Sequence, residues 1–259
     1  MFSLLAAPPI GFVAIALRPN PREIWSQSWP AIAFAGLYQI ALDQCVDICG
    51  LEHLPMTGPV ILAGNHINRT ALDGMLLGSK ILLERGIPAK WVSIPDPPTR
   101  LLKHFVRLMG KNDGVLLPIR KGATTSTMIE FLKNPQAFGR SRALLGIFPA
   151  GEADRDFERQ INKPWHTGAA VASIETGTPI VPFFVEGLPY HWGPLDMLKA
   201  VGRCLIVGKA FGFKVRLGAP ILPESVNGRA DYIELTDRLR EAVRRLAADA
   251  SSGDPVRCS

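Results

Sequence analysis

The sequence has few cysteines, no massed block of charge and no apolar run long enough to cross a bilayer straight. The cysteines fit no zinc spacing, and we expect free thiols in a reducing compartment at Cys45, Cys49, Cys204 and Cys258. The basic residues are scattered, and zinc-finger spacing, basic arms and RNA-binding signatures are missing, which argues against a nucleic-acid partner. No G-x-S-x-G motif is present, so a serine nucleophile on a tight turn is not expected.

What is present is a globular composition with an excess of positive charge. Apolar residues make up 47% and charged residues 20% of the 259 positions, and the formal net charge is +6. A basic protein favours anionic partners. Without nucleic-acid signatures, the charge favours anionic lipids or phosphorylated small molecules. The mean hydropathy of +0.15 is high for a soluble enzyme and is compatible with contact to a membrane.

Residues 1–45 carry two apolar stretches that we interpret as a membrane-associated unit. The first is apolar up to Leu17 and contains Pro8 and Pro9, which break or kink a helix. The second covers residues 29–42. Both are short for a straight span, which needs about 20 apolar residues. We therefore predict two short helices that enter one leaflet; the alternative is that they cover an apolar face of the main domain.

From residue 46 to residue 259, short apolar runs alternate with segments of helical periodicity. The expected strands cover residues 59–63, 91–94, 115–119, 143–148, 180–185 and 214–217. The expected helices cover residues 71–85, 100–109, 124–132 and 168–176, with a last one from about residue 229. This alternation is typical of an α/β fold. We predict a largely parallel layered sheet flanked by helices, preceded by the N-terminal membrane-associated helical segment of residues 1–45.

The first cluster of candidate functional residues follows the first expected strand. Asn65 and His66 come directly after that strand, and Asp73 lies where the next helix is expected to begin. Catalytic groups in α/β proteins favour strand ends and the loops beyond them. A histidine there can take a proton, and a nearby carboxylate can hold its tautomer. The alternative is a histidine that only caps the next helix.

Three further clusters follow or occupy later strands. Arg120 ends a strand, and its planar fork suits phosphate, although a surface ion pair is the alternative. Pro149 and Gly151 lie in Phe-Pro-Ala-Gly-Glu, where the backbone can approach a ligand or simply turn. Pro182 lies in an apolar segment and suits an edge strand or a strand end beside a cavity; the alternative is a core strand that tolerates a proline.

The order of the clusters resembles the four sequence blocks of the glycerolipid acyltransferase family, of the lysophosphatidate acyltransferase type. The chain reads Asn-His…Asp, then Gly-x5-Arg, then Phe-Pro-x-Gly, then Pro-Ile-Val-Pro. The segments 46–60 and 163–177 are also similar to that family, before the first block and between the third and fourth. The resemblance therefore covers the chain from about residue 46 to the C-terminus.

The resemblance implies an enzyme that moves a fatty acyl group from acyl-CoA or acyl-carrier protein to the hydroxyl of a lysophospholipid. It implies that His66 is the general base, that Asp73 orients its ring, and that no metal or other cofactor is needed. The implied substrate-binding residues are Asn65, Arg120, Pro149, Gly151, Glu152 and Pro182, with Arg120 on the acceptor's phosphate and Pro182 on the acyl-donor side. The implied partners are membrane lipids and the donor thioester, at the cytoplasmic face of the bacterial inner membrane.

Two departures from the family's pattern affect these expectations. Residues 67–72 separate His66 from Asp73, two more than the family's usual four. A helix through that whole stretch would hold the two groups about 10 Å apart, too far for a hydrogen bond. We therefore predict a loop over residues 67–70 and a helix that starts near residue 71 or 72. In the third block, Ala150 stands where glutamate is usual, and Glu152 follows the glycine.

The departures leave two alternatives open. The Phe-Pro-Ala-Gly-Glu block resembles a bacterial branch of the superfamily that is linked to lyso-ornithine lipids, which favours an acceptor other than lysophosphatidate, such as an ornithine lipid or a glycolipid. The longer spacing between His66 and Asp73 favours a lipid-binding homologue that has lost catalysis.

Overall fold

The computed structural model describes residues 46–93, 116–118, 124–207, 212–224 and 229–251. The strands within these ranges are β1 (Val46–Cys49), β2 (Val60–Gly64), β3 (Lys90–Ser93), β4 (Leu116–Pro118), β5 (Leu144–Ile147), β6 (Ile180–Glu186) and β7 (Phe213–Leu217). The α-helices are α1 (Leu72–Arg85), α2 (Thr124–Lys133), α3 (Phe157–Asn162), α4 (Gly168–Thr176), α5 (Pro194–Val207) and α6 (Arg229–Ser251).

The described strands form one sheet in the order β1-β7-β6-β2-β5-β3-β4. Neighbours pair in parallel except β6 and β7, which are antiparallel. β2 and β5 are buried along their whole length, as expected for parallel strands covered on both faces. The predicted largely parallel sheet flanked by helices is confirmed.

Helices cover both faces of the sheet, and the side chains of each strand alternate between the faces. In β2, Val60 and Leu62 pack in one core with the apolar side of α1. Ile61 and Ala63 pack in a second core with α2, α4 and α6. Full burial of one leucine or isoleucine side chain stabilises the fold by about 1.5–3 kcal/mol. The two cores therefore fix the strand ends from which the functional loops leave the sheet.

Among the strands and α-helices of the described residues, β1, α3 and α5 are absent from the sequence prediction. β1 lies at the edge of the sheet, where Asp47 is exposed and interrupts the apolar run. α3 is a six-residue helix with two buried side chains, too short to show helical periodicity. The helix expected at residues 100–109 lies outside the described residues.

Residues 1–45 also lie outside the described residues, so the membrane-associated segment and its boundary with residues 46–259 stay predictions. Among the described helices, none is both long and apolar enough to cross a bilayer. The expectation of four free thiols is wrong, because Cys49 is disulfide-bonded. Sequence spacing excludes a metal framework, but disulfide pairing depends on distances in the fold, which the spacing does not contain.

Pro182 lies inside the central strand β6, so the interpretation as an edge or strand end is wrong and the core-strand alternative is confirmed. The ladder from β6 to β7 is interrupted between Leu217 and a bridge at Ile221. Along β6, the N–H groups of alternate residues point to the same neighbour, and the N–H of Ile180 donates to the carbonyl of Ile221. The backbone nitrogen of Pro182 therefore faces the same side, where the pairing with β7 is interrupted. The N–H group that a proline lacks is not needed at that point. The carbonyl of Pro182 still accepts a hydrogen bond from the amide of Gly218 at 2.8 Å.

Candidate active site

His66 and Asp73 form a hydrogen-bonded pair at the carboxyl end of β2. His66 lies two residues beyond the end of the strand, and Asp73 lies in the first turn of α1. Nδ1 of the imidazole and Oδ2 of the carboxylate are 2.8 Å apart. The histidine side chain is 12% exposed and the aspartate side chain 0%. A fully buried acid therefore lies behind a ring that solvent still reaches.

Residues 67–70 form a loop and α1 begins at Leu72, as predicted. The loop curls around the carboxylate of Asp73. Oδ2 accepts hydrogen bonds from the amides of Ile67 at 2.9 Å and Asn68 at 3.2 Å. Oδ1 accepts one from the amide of Gly74 at 2.9 Å. These donors hold the carboxylate against the ring, so the longer spacing does not separate the pair.

The side chain of Asn68 closes the longer loop. Oδ1 accepts hydrogen bonds from the amides of Thr70 at 3.0 Å and Leu72 at 3.1 Å, which satisfies a free amide at the start of α1. Nδ2 donates to the carbonyls of Pro189 at 2.9 Å and Trp192 at 3.1 Å. The side chain is fully buried. It therefore ties the loop both to α1 and to the segment that follows β6.

An aromatic stack supports one face of the His66 ring. The imidazole lies nearly parallel to the ring of Phe148, with centroids 3.9 Å apart and an interplanar angle of 14°. Phe148 stacks in turn on Trp91 at 5.1 Å, and Phe183 meets both rings edge-on. Phe148 is the phenylalanine of the third sequence block, so the third block contacts the histidine of the first. The stack and Asp73 together restrict rotation of the imidazole.

Glycines make the room that the Trp91 indole occupies, and Gly146 in β5 is the closest of them. A Cβ atom at Gly146 would overlap the indole ring. We expect Gly146→Ala to lower the free energy of unfolding by about 1–3 kcal/mol, because overpacking forces a shift in a dense core. Denaturant unfolding measures the loss. Gly202 in α5 is the matched control: a Cβ atom there meets open space, and Gly202→Ala is expected to be neutral or stabilising by up to about 1 kcal/mol. Equal destabilisation by both variants would contradict the packing argument.

Two buried side-chain amides hold the backbone around His66. Nδ2 of Asn65 donates to the carbonyl of Val185 at 2.9 Å, and Oδ1 accepts from its amide at 2.8 Å. Gln160 in α3 makes the same two-way contact with His66 itself, at 3.0 Å to the amide and 2.9 Å to the carbonyl. Asn65 therefore extends the pairing of β2 with β6, and its buried side chain is engaged with the sheet.

The loop after β5 returns over His66 and is braced by an ion pair. The amide of Asp154 donates to the carbonyl of His66 at 2.8 Å. Its carboxylate accepts hydrogen bonds from Nε of Arg159 at 2.8 Å and Nη2 at 2.6 Å. The hydrogen bond from Arg159 holds the pKa of Asp154 below its ordinary value, and the same bond raises the pKa of Arg159. The carboxylate is therefore an ion-pair partner for arginine.

The other residues predicted from the third block lie beside His166. Gly151 has a φ of 78°, and a Cβ atom there would lie 3.1 Å from Nε2 of His166. The carbonyl of Pro149 accepts a hydrogen bond from the amide of His166 at 2.9 Å. Gly151 and Glu152 are exposed, while Pro149 is buried. Gly151 and Glu152 therefore form a solvent-accessible rim of this loop, with the carboxylate of Glu152 on it.

Two of the predicted binding residues, Pro182 and Arg120, are not seen beside the His66–Asp73 pair. Pro182 alternates with Val181 and Phe183 and shares the face of β6 that carries Ile180 and Phe184. That face packs in the core with α6, whereas Phe183 belongs to the opposite core. His66 lies on the side of Phe183, through the aromatic stack. Arg120 lies outside the described residues.

The geometry suits proton removal by Nε2 of His66. An ionised carboxylate only accepts hydrogen bonds, so Nδ1 carries the proton that faces Asp73 and Nε2 carries a lone pair. Nε2 has no hydrogen-bond partner among the described residues. When the ring takes a second proton, the buried carboxylate stabilises the imidazolium.

Sequence reasoning missed Asn68 and Gln160, and it did not foresee that Phe148 contacts the imidazole. Asn68 carries a recognisable signal, since asparagine just before a helix commonly accepts backbone hydrogen bonds. Gln160 lies 94 residues from His66, and no local pattern predicts a contact at that separation. Phe148 was visible only as a member of the third block.

Comparison with curated protein sequences gives no match, whereas several solved structures are similar to this chain. The chain is similar to the crystal structure of the 1-acyl-sn-glycerophosphate (LPA) acyltransferase PlsC from Thermotoga maritima. The TM-score is 0.47 and the identity 14%, over 92% of this chain and 88% of that one. At that identity and TM-score, the likeness supports no conclusion about the substrate of this chain.

A sequence-family model described as Acyltransferase matches residues 45–186, which is more than half of the chain. The matched segment runs from β1 to the end of β6 and contains His66, Asp73 and the loop of the third block. The order of the sequence blocks predicts the same family. The chain belongs to the acyltransferase family, and it is an acyltransferase enzyme.

Proposed function

We propose that this acyltransferase moves a fatty acyl group from a thioester to the hydroxyl of a lysophospholipid of the lysophosphatidate type, with His66 as the general base. The observation that carries the proposal is the 2.8 Å hydrogen bond between Nδ1 of His66 and Oδ2 of Asp73. This hydrogen bond forms although residues 67–72 make the spacing between His66 and Asp73 two residues longer than is usual in the family. This hydrogen bond supports catalysis over the alternative of a lipid-binding homologue, because that alternative was based on the longer spacing between His66 and Asp73.

The reaction needs one proton shuttle and no covalent enzyme intermediate. Nε2 of His66 takes the proton of the acceptor hydroxyl while the hydroxyl oxygen attacks the carbonyl carbon of the thioester. The tetrahedral intermediate collapses with cleavage of the C–S bond, and the imidazolium returns its proton to the departing thiolate. The products are an ester and a free thiol, and Asp73 stabilises the imidazolium between the two steps. General base catalysis of this kind contributes about 10²–10⁴-fold to a rate.

The remaining assignments concern binding. We assign Arg120 to the acceptor's phosphate, because guanidinium binds phosphate with two parallel hydrogen bonds. We assign Gly151 and Glu152 to the acceptor headgroup, because both are exposed on the loop beside His66. Pro182 is assigned to the donor side by resemblance alone, although it is buried on the face of β6 opposite His66. Residues 1–45 would hold the enzyme at the cytoplasmic face of the inner membrane, where lipid and acyl-CoA or acyl-carrier protein meet.

A second candidate acceptor is a lyso-ornithine lipid. The observation that favours it is the position of the acid in the third block: Ala150 replaces the usual glutamate, and Glu152 is exposed on the loop. An exposed carboxylate there attracts the ammonium group of an ornithine headgroup.

The test is an acyl-transfer assay on the purified full chain in detergent micelles. Radiolabelled palmitoyl-CoA or palmitoyl-acyl-carrier protein is the donor, and lysophosphatidate, lyso-ornithine lipid and lysophosphatidylcholine are offered as acceptors. We expect label to enter lysophosphatidate. Label in the lyso-ornithine lipid alone would assign the second candidate, and no transfer to any acceptor from either donor would contradict lysolipid acylation.

A further inference from the structure

The side chain of Gln160 is buried, and its amide group forms hydrogen bonds with the backbone of His66 and Glu152. It is 1% exposed. Oε1 accepts a hydrogen bond from the amide of His66 at 3.0 Å, and Nε2 donates to the carbonyls of His66 at 2.9 Å and Glu152 at 3.0 Å. Since a backbone amide can only donate and a carbonyl can only accept, these contacts fix the orientation of the side-chain amide.

The position of His66 in the chain explains why such a contact matters. The last residue of β2 is Gly64, so no strand pairing holds the backbone of His66. Its amide and carbonyl still need partners away from water. Gln160 supplies one to each, as a neighbouring strand would, and the amide of Asp154 adds a second bond to the carbonyl at 2.8 Å.

Three supports therefore converge on His66 from different elements. Asp73, at the start of α1, holds Nδ1 of the ring. Phe148, after β5, holds one face of the ring. Gln160, in α3, holds the backbone from which the ring extends. α3 is itself fixed at its first residue, because Phe157 packs edge-on against Phe184 at 5.1 Å.

We propose that Gln160 is a positioning residue of this acyltransferase, which holds the backbone of His66 so that Nδ1 meets Asp73 while Nε2 faces the acceptor hydroxyl. This inference rests on the proposed role of His66 as the general base. If the backbone that carries the base shifts by about 1 Å, the reaction slows on the order of 10²-fold, because proton transfer depends on near-attack geometry. Gln160 touches no reacting atom in this arrangement and acts only through His66.

The variant that tests the proposal is Gln160→Leu, which keeps a similar volume and removes all three hydrogen bonds. We expect kcat to fall about 10–100-fold while KM changes less than about threefold, since the loss affects geometry at the reacting centre. Gln160→Glu is the conservative companion: it keeps an acceptor for the amide of His66 but turns an oxygen toward the two carbonyls. We expect kcat of Gln160→Glu to be as low as that of Gln160→Leu, because neither side chain donates a hydrogen bond to the carbonyls of His66 and Glu152.

The matched control is Thr236→Val in α6. Thr236 is 5% exposed, and Oγ1 donates to the carbonyl of Tyr232 at 2.7 Å, so this variant also loses a buried hydrogen bond. We expect it to lower the melting temperature and leave kcat unchanged. If Gln160→Leu lowers the melting temperature and likewise leaves kcat unchanged, Gln160 is structural only and the proposal is overturned.

An NMR measurement on the substrate-free enzyme tests the positioning role of Gln160 independently of the proposed role of His66 as the base. Proton-detected nitrogen NMR of the histidine side chains reports the Nδ1–H proton that His66 donates to Asp73. We expect its exchange with water to accelerate at least about tenfold in Gln160→Leu and to stay as in the wild type in Thr236→Val. Unchanged exchange in Gln160→Leu overturns the positioning role. Wild-type activity in His66→Ala would instead defeat the proposed base, whatever the NMR result.

Discussion

Replacing His66 with alanine is expected to lower kcat/KM by about 10²–10⁴-fold, the usual contribution of a general base. The expected loss is large because Nε2 is the proposed acceptor for the hydroxyl proton, and a water molecule in the vacated space is a much weaker base. Initial rates of label transfer from palmitoyl-CoA measure the effect. Added imidazole is expected to restore part of the rate, since the ring of His66 is 12% exposed and its site is open to a small base.

The matched control for this variant is His191→Ala. His191 is exposed and packs edge-on against Tyr190 at 4.8 Å, and its side chain makes no hydrogen bond or ring contact with His66 or Asp73. We expect it to keep a rate within about twofold of the wild type, as surface substitutions usually do. Wild-type transfer by His66→Ala, or equal losses in the two histidine variants, would rule out His66 as the base.

Asp73→Asn is the second variant with a large expected effect, and it changes both rate and stability. The carboxylate accepts hydrogen bonds on both oxygens: Oδ2 from the ring of His66 and two loop amides, Oδ1 from the amide of Gly74. An asparagine must turn its NH₂ group toward one of these sets of donors. If it faces Gly74, two donors meet in a buried place and the imidazolium loses its counter-charge. If it faces the ring, the histidine takes the opposite tautomer and Nε2 no longer accepts a proton.

Both orientations predict a loss of kcat of about 10²–10⁴-fold and of about 1–3 kcal/mol in the free energy of unfolding. Kinetics and denaturant unfolding on the same preparation measure the two losses. Asp237→Asn is the control, because it removes an exposed carboxylate paired with Arg240 at 2.8 Å and lies on α6. We expect it to match the wild type in both measurements. A folded Asp73→Asn protein with wild-type kcat would show that the acid does not orient the base.

The parts of the fold that the sequence predicted are those where a single physical signal dominates. The apolar runs of β2 and β6 are buried strands, and their composition alone indicates that. The helix predicted at residues 168–176 has those same bounds in the structure, because Gly177 follows with a φ of 66° and ends the helix. β1 was missed because an edge strand needs no continuous apolar run. The strand direction of β7 was also beyond the sequence, since a connection of this length permits either pairing.

The candidate site was predictable only where the constraint is local. The rise of a helix limits how far apart His66 and Asp73 can lie, and that limit alone required the loop at residues 67–70. The contact from Gln160 joins residues 94 apart in sequence, so it depends on how α3 folds back over the sheet. Pro182 illustrates the opposite error: its residue type suggested an edge, but the interruption between β6 and β7 that accommodates it arises from pairing with a distant segment.

The loop between His66 and Asp73 is hydrogen-bonded to the segment that follows β6. The side chains of Asn68 and Thr70 and the amide of Arg69 donate to carbonyls of residues 189–192, at 2.8–3.0 Å for the shortest bond of each residue. Asn68 also caps α1 and donates its backbone amide to Asp73, so the same residue links the segment after β6 to the acid. We therefore expect the two segments to open as one cooperative unit of local unfolding. Amide exchange at Arg69 accordingly reports the fraction of time that the histidine and its acid are assembled.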